Sequence, residues 1–429
     1  MTDTERTKEK YIIAGIYDND EEAAEASLDE LAELADTAGA EEVCRVLQHL
    51  EHPVAATYVG RGKVDEIAAL ISLFDVDGII CDDELTPVQI RNLSDILDIK
   101  VIDRTILILD IFASHATTAE GKLQVEMAQL KYRASHLSGI GKALSRLGGG
   151  IGTRGPGETK LESDRRAIRH RLGVLNGEIR KLKEVRKTGR KKRLSSSIPT
   201  AAVVGYTNAG KSTLLNSLTG ADILSENKLF ATLDPTTRLC TLPEGQEILL
   251  TDTVGFINKL PHHLIDAFRS TLEEARYADI LIHVVDASDQ NAALHMEVVY
   301  ETLGELEITG KPVLTVFNKI DMLTEDTILR DERADLSVRT SLKTGEGRSA
   351  LLEKISEILL QGQSCIDIII PYNEGDRLAQ IRSRGRLITE EYLPEGIRVE
   401  AYVPESLSHN SVCSPLGTVQ KLFPQQDRD

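Results

Sequence analysis

Apolar and polar positions follow one another along this chain in two rhythms. The first is short apolar runs separated by amphipathic stretches of helical period. Residues 11–16 read as a strand, and 21–38, with Leu28, Leu31 and Leu34 on one side, as a helix. Residues 43–47 give a second strand, and 55–63 close a third. A helix over 64–74, a buried strand at 78–81, a helix over 87–97 and a strand at 100–102 follow. This alternation predicts a small, mainly parallel sheet with flanking helices, in a domain over residues 1–110. Within it, Gly60-Arg61-Gly62-Lys63 reads as a strand-to-helix turn, with a weaker nucleotide or RNA-phosphate contact open, and Asp82-Asp83-Glu84 as a solvated acidic turn favouring the dipole of the next helix in preference to a metal cluster.

The second rhythm is a heptad. Leu123, Met127, Leu130, Ala134 and Leu137 keep it, and so do Leu161, Ile168, Leu172, Leu175, Ile179 and Leu182. Between the two series the glycines, from Gly139 to Gly157, are too dense for helix. The expectation is an antiparallel helical hairpin over residues 111–197, with a glycine-rich basic tip at 139–157 and a linker at 194–197. The first rhythm then resumes. Residues 198–363 predict a mainly parallel doubly wound sheet. Residues 364–429 predict a small α+β unit of β-α-β-β order.

Chemistry is concentrated in residues 198–363. The apolar run 201–204 leads into Gly205-Tyr206-Thr207-Asn208-Ala209-Gly210-Lys211-Ser212, and a helix follows. Strand, glycine loop and helix in that order make a phosphate-binding loop. Its backbone N–H groups and the helix N-terminus face anionic oxygens. Lys211 supplies a point charge for the β- and γ-phosphates, and Ser212 a hydroxyl for Mg²⁺. Downstream, Asp252-Thr253-Val254-Gly255 follows a strand at 247–250. Asp252 can hold Mg²⁺ directly or through water. Gly255 can bring its N–H against the γ-phosphate.

Asn318-Lys319-Ile320-Asp321 ends the apolar run 312–317. Asp321 can accept from the N1–H and 2-amino groups of guanine, and adenine offers neither, so a buried unpaired carboxylate would penalise the wrong base. Asn318 braces the phosphate loop, Lys319 lies along the base, and Ser341-Leu342-Lys343 supplies backbone contacts to the guanine oxygen. Four motifs in this order point to GTP. Two residues bear on hydrolysis. Phe256 stands where many GTPases carry a water-positioning Gln, and a Phe cannot orient water, so intrinsic turnover should be slow. Asn208 either fits the turn or ligates K⁺ near the phosphates.

Composition changes the picture in one respect. The 429 residues carry a net charge of −18, which argues against indiscriminate nucleic-acid binding by the whole molecule. Yet Arg165, Arg166, Arg169, Arg171, Arg180, Lys181, Lys183, Arg186, Lys187, Arg190, Lys191, Lys192 and Arg193 crowd the second hairpin helix. A basic rod on an acidic protein fits a polyanion, and its lack of aromatics favours the backbone and shape of folded RNA over base stacking. Five scattered cysteines form no CxxC pair, and no apolar run reaches membrane-span length, so the expectation is a cytoplasmic protein.

The chain resembles the HflX family of translational GTPases over nearly all its length. The resemblance rests on Tyr58-Val59-Gly60-Arg61-Gly62-Lys63, on Glu84-Leu85-Thr86-Pro87 and on Gly121-Lys122-Leu123-Gln124-Val125-Glu126. It rests also on Gly149-Gly150-Ile151-Gly152-Thr153-Arg154-Gly155-Pro156-Gly157-Glu158 with Asp164-Arg165-Arg166, and on Phe230–Arg238 and Asp252–Phe256. It implies a switch over Phe230-Ala231-Thr232-Leu233-Asp234. Thr232 is the chosen Mg²⁺ ligand there, partly on that resemblance, with Thr236 second. It implies RNA contacts at Gly149, Gly150, Arg154, Gly155, Arg165 and Arg166. It further implies a factor that binds the large ribosomal subunit and splits or rescues stalled or hibernating ribosomes; a monomer, associated with ribosomes or a membrane surface, is the accompanying expectation. The alternatives are a factor in large-subunit maturation, or a GTP switch acting on a protein effector without RNA.

Overall fold

The computed structural model describes residues 8–147, 156–196, 198–220, 229–230, 235–243, 245–261, 272, 274–323, 329–360, 363–404 and 418–421. Packing divides them into two units. The first holds the described residues up to Glu184 together with 229–230 and 258–261. The second holds the rest.

The first unit opens with β1 (Glu9–Tyr17), α1 (Glu21–Thr37), β2 (Ala40–His49), α2 (Arg61–Phe74), β3 (Gly78–Cys81), α3 (Pro87–Leu97), β4 (Lys100–Asp103) and α4 (Arg104–His115). The strands form a parallel sheet in the order β2-β1-β3-β4. Asp20 starts α1 by accepting from Ala23 N at 2.9 Å, and Leu28, Leu31 and Leu34 are fully buried. Thr86 and Gln89 form a capping box at α3, with Pro87 in the first turn.

Three expectations change here. Residues 55–63 are not a strand. Val54 and Tyr58 make one isolated bridge, and the carbonyls of Val54 and Ala56 accept from the side chains of Gln89 and Asn92 at 2.8 and 2.9 Å. Side chains of α3 thus take the place of a neighbouring strand. Secondly, α4 crosses the expected boundary at residue 110. It is apolar on most sides, with Leu107, Ile108, Leu109, Ile111 and Phe112 buried, so no amphipathic period betrays it. Thirdly, Asp82 is buried. It accepts from Ser27 Oγ and Arg104 Nη1 at 2.7 Å each and pairs with Lys259, which also reaches Asp83 at 3.0 Å. Arg104 also pairs with Glu30. Burial alone would raise the Asp82 pKa, but the Arg104 and Lys259 cations outweigh it and hold the carboxyl below its ordinary value. Among the described residues no cluster of His, Cys, Asp or Glu is arranged for a metal.

The hairpin is α5 (Ala119–Leu147) and α6 (Pro156–Ser196). Met127 packs with Leu175 and Ile179, joined by Leu123, Leu130 and Leu172. Arg171 forks onto both oxygens of Glu126 at 2.6 and 2.8 Å, and Arg165 Nη2 donates to Leu137 O at 3.2 Å. Later residues of α6 meet earlier ones of α5, which makes the pair antiparallel. Two expectations are corrected. Gly139 and Gly141 lie inside α5, and residues 194–196 continue α6 instead of forming a linker. An interior glycine costs about 1 kcal/mol, which weakens a helix without ending it. Pro156 suits a first helical position. Midway along, α5 is tied by Tyr132, whose hydroxyl donates to Asp103 at 2.9 Å. At the tip, residues 148–155 lie outside the described set, and Gly149, Gly150, Arg154 and Gly155 are among them. Phe230, expected in the switch, is buried edge-on against Phe112 with ring centroids 4.6 Å apart.

The second unit contains β5 (Thr200–Gly205), α7 (Lys211–Thr219), β6 (Thr236–Thr241), β7 (Glu247–Asp252), β8 (Ile280–Asp286), α8 (Ala292–Glu305), β9 (Val313–Asn318), β10 (Leu336–Arg339) and α9 (Arg348–Leu360). The sheet order is β10-β9-β8-β5-β7-β6, parallel except for β6. Val203, Leu214, Leu250, Ile282, Leu314 and Ile355 form the middle of its core. The module that follows has β11 (Gln363–Ile370), α10 (Gly375–Arg384), β12 (Arg386–Leu393), β13 (Gly396–Pro404) and β14 (Thr418–Lys421). Its antiparallel sheet, β12-β13-β11-β14, has one strand more than expected. Ile366, Ile368 and Ile370 alternate onto α10 residues Leu378 and Ile381. No described helix is long and apolar enough to cross a membrane.

Removing the Asp82 carboxylate takes one of its acids from a guanidinium that is 1% exposed, leaving Glu30 opposite it, and removes the buried partner of Lys259. Asp82→Ala should therefore lower unfolding free energy by about 3–5 kcal/mol in denaturant titrations. Because the folded pKa of Asp82 is depressed, its contribution is present above the unfolded pKa and is lost as pH falls through the folded value.

Candidate functional site

Five parallel strands bring their carboxyl ends to one edge of the large sheet. Gly205, Asp252, Asp286 and Asn318 end β5, β7, β8 and β9, and Ser341 lies two residues past β10. Such an edge is where open α/β sheets bind ligands.

After β5 the chain curves through Tyr206, Thr207, Asn208 and Ala209 into α7. The loop is tied to the segment beyond β7, since Phe256 N donates to Gly205 O at 3.1 Å and Thr207 N to Phe256 O at 2.8 Å. Asn208 is exposed, with a left-handed φ of 59°, so its place in the turn is one that Asn tolerates. Gly210, at φ 102°, precedes α7, and a Cβ there would stand 2.3 Å from Asn318 Nδ2. Lys211 is buried and its Nζ donates to Tyr206 O at 2.6 Å. Burial pulls its pKa down to about 8, against an opposing pull from Asp252. A Cβ on Gly255 would lie 2.8 Å from Thr207 Cγ2 and 3.0 Å from Lys211 Nζ, so only glycine permits that approach.

Ser212 Oγ donates to Asp252 Oδ2 at 2.9 Å, which places a hydroxyl and a carboxylate side by side. Hard oxygen donors of this kind suit Mg²⁺. Thr253 is buried with its hydroxyl on Val203 O at 2.7 Å, and Val254 is buried beside it. Thr236 is held in β6 directly opposite Asp252. Ala231, Thr232, Leu233 and Asp234 lie outside the described residues. The Phe256 ring is 2% exposed.

One side chain joins the loop to the far motifs. Asn318 Nδ2 donates to Ala209 O at 2.9 Å, and its Oδ1 accepts from Leu342 N at 3.1 Å. Lys319 adopts a left-handed φ of 63°, and its Nζ lies 2.6 Å from Asp286. Ile320 and Asp321 begin a short 3₁₀ turn, with Asp321 exposed. Ser341 is buried, its Oγ accepting from Thr344 N at 3.3 Å, while Lys343 is exposed.

Two residues of this edge escaped the motif reading. Asp286 faces Lys319. His295, on α8, stacks on Tyr206 with centroids 3.8 Å apart and planes 9° from parallel. The position of Asp286 at the end of an apolar strand beside β9 was an available signal. The Tyr206–His295 pair had none, because 88 residues of intervening chain carry no periodic link between them.

A phosphate loop, a carboxylate beside its serine and an Asn-Lys-x-Asp turn on one sheet edge define a P-loop GTPase. Family models match in chain order: GTP-binding GTPase N-terminal over residues 25–113, GTP-binding GTPase Middle Region over 115–193 and 50S ribosome-binding GTPase over 200–319. The chain is 55% identical to the GTPase HflX of Lacrimispora saccharolytica over 407 residues, covering 95% of this chain and 96% of that one. It is 47% identical to that of Caldanaerobacter subterraneus, covering 94% and 93%. With the GTPase HflX of Escherichia coli it shares 41% identity, covering 90% of each. The chain belongs to the HflX family of GTPases. It binds GTP and GDP and hydrolyses GTP to GDP and phosphate.

The contact between Gly210 and Asn318 makes a direct prediction. Gly210→Ala should displace the Asn318 amide from Ala209 and weaken GDP binding at least about tenfold, read by calorimetric titration against a thermal-stability control.

Proposed function

We propose that this GTPase is a GTP-gated factor that docks on the large ribosomal subunit and splits or rescues stalled or hibernating ribosomes. The observation that carries the RNA part is α6. It holds fourteen Lys and Arg against five Asp and Glu, in a chain of net charge −18. Arg166, Arg169, Arg180, Lys181 and Lys183 are exposed along it. Arg165 is half-buried and engaged with α5, so it contributes to the hairpin as well as to any RNA contact. The description of the matched family model as 50S ribosome-binding, and the resemblance of the 149–158 tip, support the same reading.

In this reading the backbone of 205–212 and Lys211 cradle the phosphates. Asp321 and the backbone of 341–343 read guanine, whose ring covers the exposed Asp321 carboxylate and so desolvates it. Ser212, Asp252 and Thr232 would hold Mg²⁺, which when bound neutralises charge on the β- and γ-phosphates. Asn208 is the candidate ligand for K⁺. The attacking water needs an orienting group, and the Phe256 side chain is apolar and buried, so that group comes from the bound partner. The switch residues 230–234, through Thr232, and the Asp252–Gly255 segment would report which nucleotide is present.

The deciding experiment is GTP turnover in potassium buffer, with and without purified large ribosomal subunits. Stimulation that disappears on deleting residues 149–157 is expected. No stimulation and no co-sedimentation with GTP would sink the ribosome reading. Equal turnover in KCl and NaCl would remove the role given to Asn208. Lys211 adds a pH signature. Phosphate favours its charged form, so GDP affinity should be level below pH about 8. Above that it should fall by up to about tenfold per pH unit, as binding takes up a proton. The decline should be absent in Lys211→Met.

A further inference from the structure

The guanine side of the site contains an ion pair that the nucleotide motifs do not include. Asp286 ends β8, and its neighbour across the parallel ladder is Asn318, the first residue of the base-reading turn. The two chain segments are joined there, since Ala287 N donates to Asn318 O at 2.8 Å. The Asp286 carboxylate is fixed from behind. Its Oδ1 accepts from Ser288 N at 3.0 Å and from Ser288 Oγ at 2.6 Å. Its other oxygen, Oδ2, lies 2.6 Å from Lys319 Nζ. Both side chains are mostly buried, at 18% and 25% exposure, so the pair is only partly screened by water.

Lys319 needs such an anchor. Its backbone is left-handed, a conformation uncommon for a residue with a long side chain, and its four methylenes would otherwise sample many rotamers. A lysine that lies along a base works through its stem, and the stem is useful only if the ammonium at its end is held.

We propose that Asp286 is a positioning residue for guanine nucleotides: it tethers the Lys319 ammonium, with Ser288 aiming the carboxylate, so that the lysine stem is preset as one wall of the base site. The proposal deepens the assignment of Asn318–Asp321 as the base-reading turn and rests on it. It assigns Asp286 no contact with the nucleotide. Its effect on binding passes through Lys319, and this separates it from a residue that merely supports the sheet.

The same loop braces the other end of the site by a separate route. Asp289 Oδ2 lies 3.4 Å from His295 Nδ1, and the His295 ring stacks on Tyr206 of the phosphate loop. Variants there should disturb the phosphates, not the base, and so serve as a contrast.

The test is a double-mutant cycle on the full chain. Affinities for GDP and for inorganic tripolyphosphate are measured by calorimetry for Asp286→Ala, Lys319→Ala and the double variant. Asp286→Ala should weaken GDP binding about tenfold, leave tripolyphosphate binding unchanged, and add nothing once Lys319 is already Ala. Asp286→Asn, which keeps an acceptor for Ser288 but drops the charge, should weaken GDP binding by a smaller factor in the same direction. His295→Ala should weaken GDP and tripolyphosphate by the same factor. If the Asp286 and Lys319 factors multiply in the double variant, or if Asp286→Ala weakens tripolyphosphate as much as GDP, Asp286 acts through the fold and the proposal is overturned. If Lys319→Ala itself leaves GDP binding unchanged, it is the base-reading assignment of the turn that fails.

Discussion

The nucleotide edge depends on one amide. Asn318 donates to the carbonyl of Ala209 and accepts from the amide of Leu342, so a single planar group sets the spacing between the phosphate loop and the loop that follows β10. Its own position is set by β9, which lies between β8 and β10 in a parallel ladder. Because the group is 3% exposed, neither bond competes with water, and an unpaired end would carry the full cost of desolvation. Gly210 leaves room for this amide, and residue 318 fixes where the Asn-Lys-x-Asp turn begins. The rest of the edge is arranged about that contact.

Much of this edge was legible in the sequence because its parts are local. A phosphate loop is a contiguous signal, and each of the other motifs follows an apolar run that ends at the same sheet edge. The helical hairpin was legible for a similar reason, its heptads persisting through both arms. What escaped depended on partners distant in sequence. The acidic turn at residue 82 looked solvated because its cations, Arg104 and Lys259, stand 22 and 177 residues away. Residues 55–63 looked like a strand because the side chains that satisfy their carbonyls belong to α3. Helix α4 was hidden by being buried on most sides, which erases the very period that reveals a surface helix. The hairpin arms were longer than expected because isolated glycines weaken a helix without ending it.

Asp321 is exposed, although the role expected of it is to penalise the wrong base as a buried, unpaired carboxylate. A sequence motif states which groups meet a ligand, but the dielectric around them belongs to the assembled site. An exposed carboxylate discriminates little in water. It discriminates strongly only once the base itself excludes solvent. Specificity in such a site is thus coupled to closure, and anything that steadies the surrounding side chains helps select the base as well as hold it.

The protein keeps its charges in two different environments. The Asp82–Arg104 pair is largely out of reach of dissolved ions, whereas the basic face of α6 stands among them. Salt therefore acts on the two unequally: it screens the exposed helix and releases polyanions from it, yet leaves the interior pairs almost untouched. If the basic face of α6 holds RNA as proposed, ionic strength becomes a handle that would detach the partner without loosening the fold.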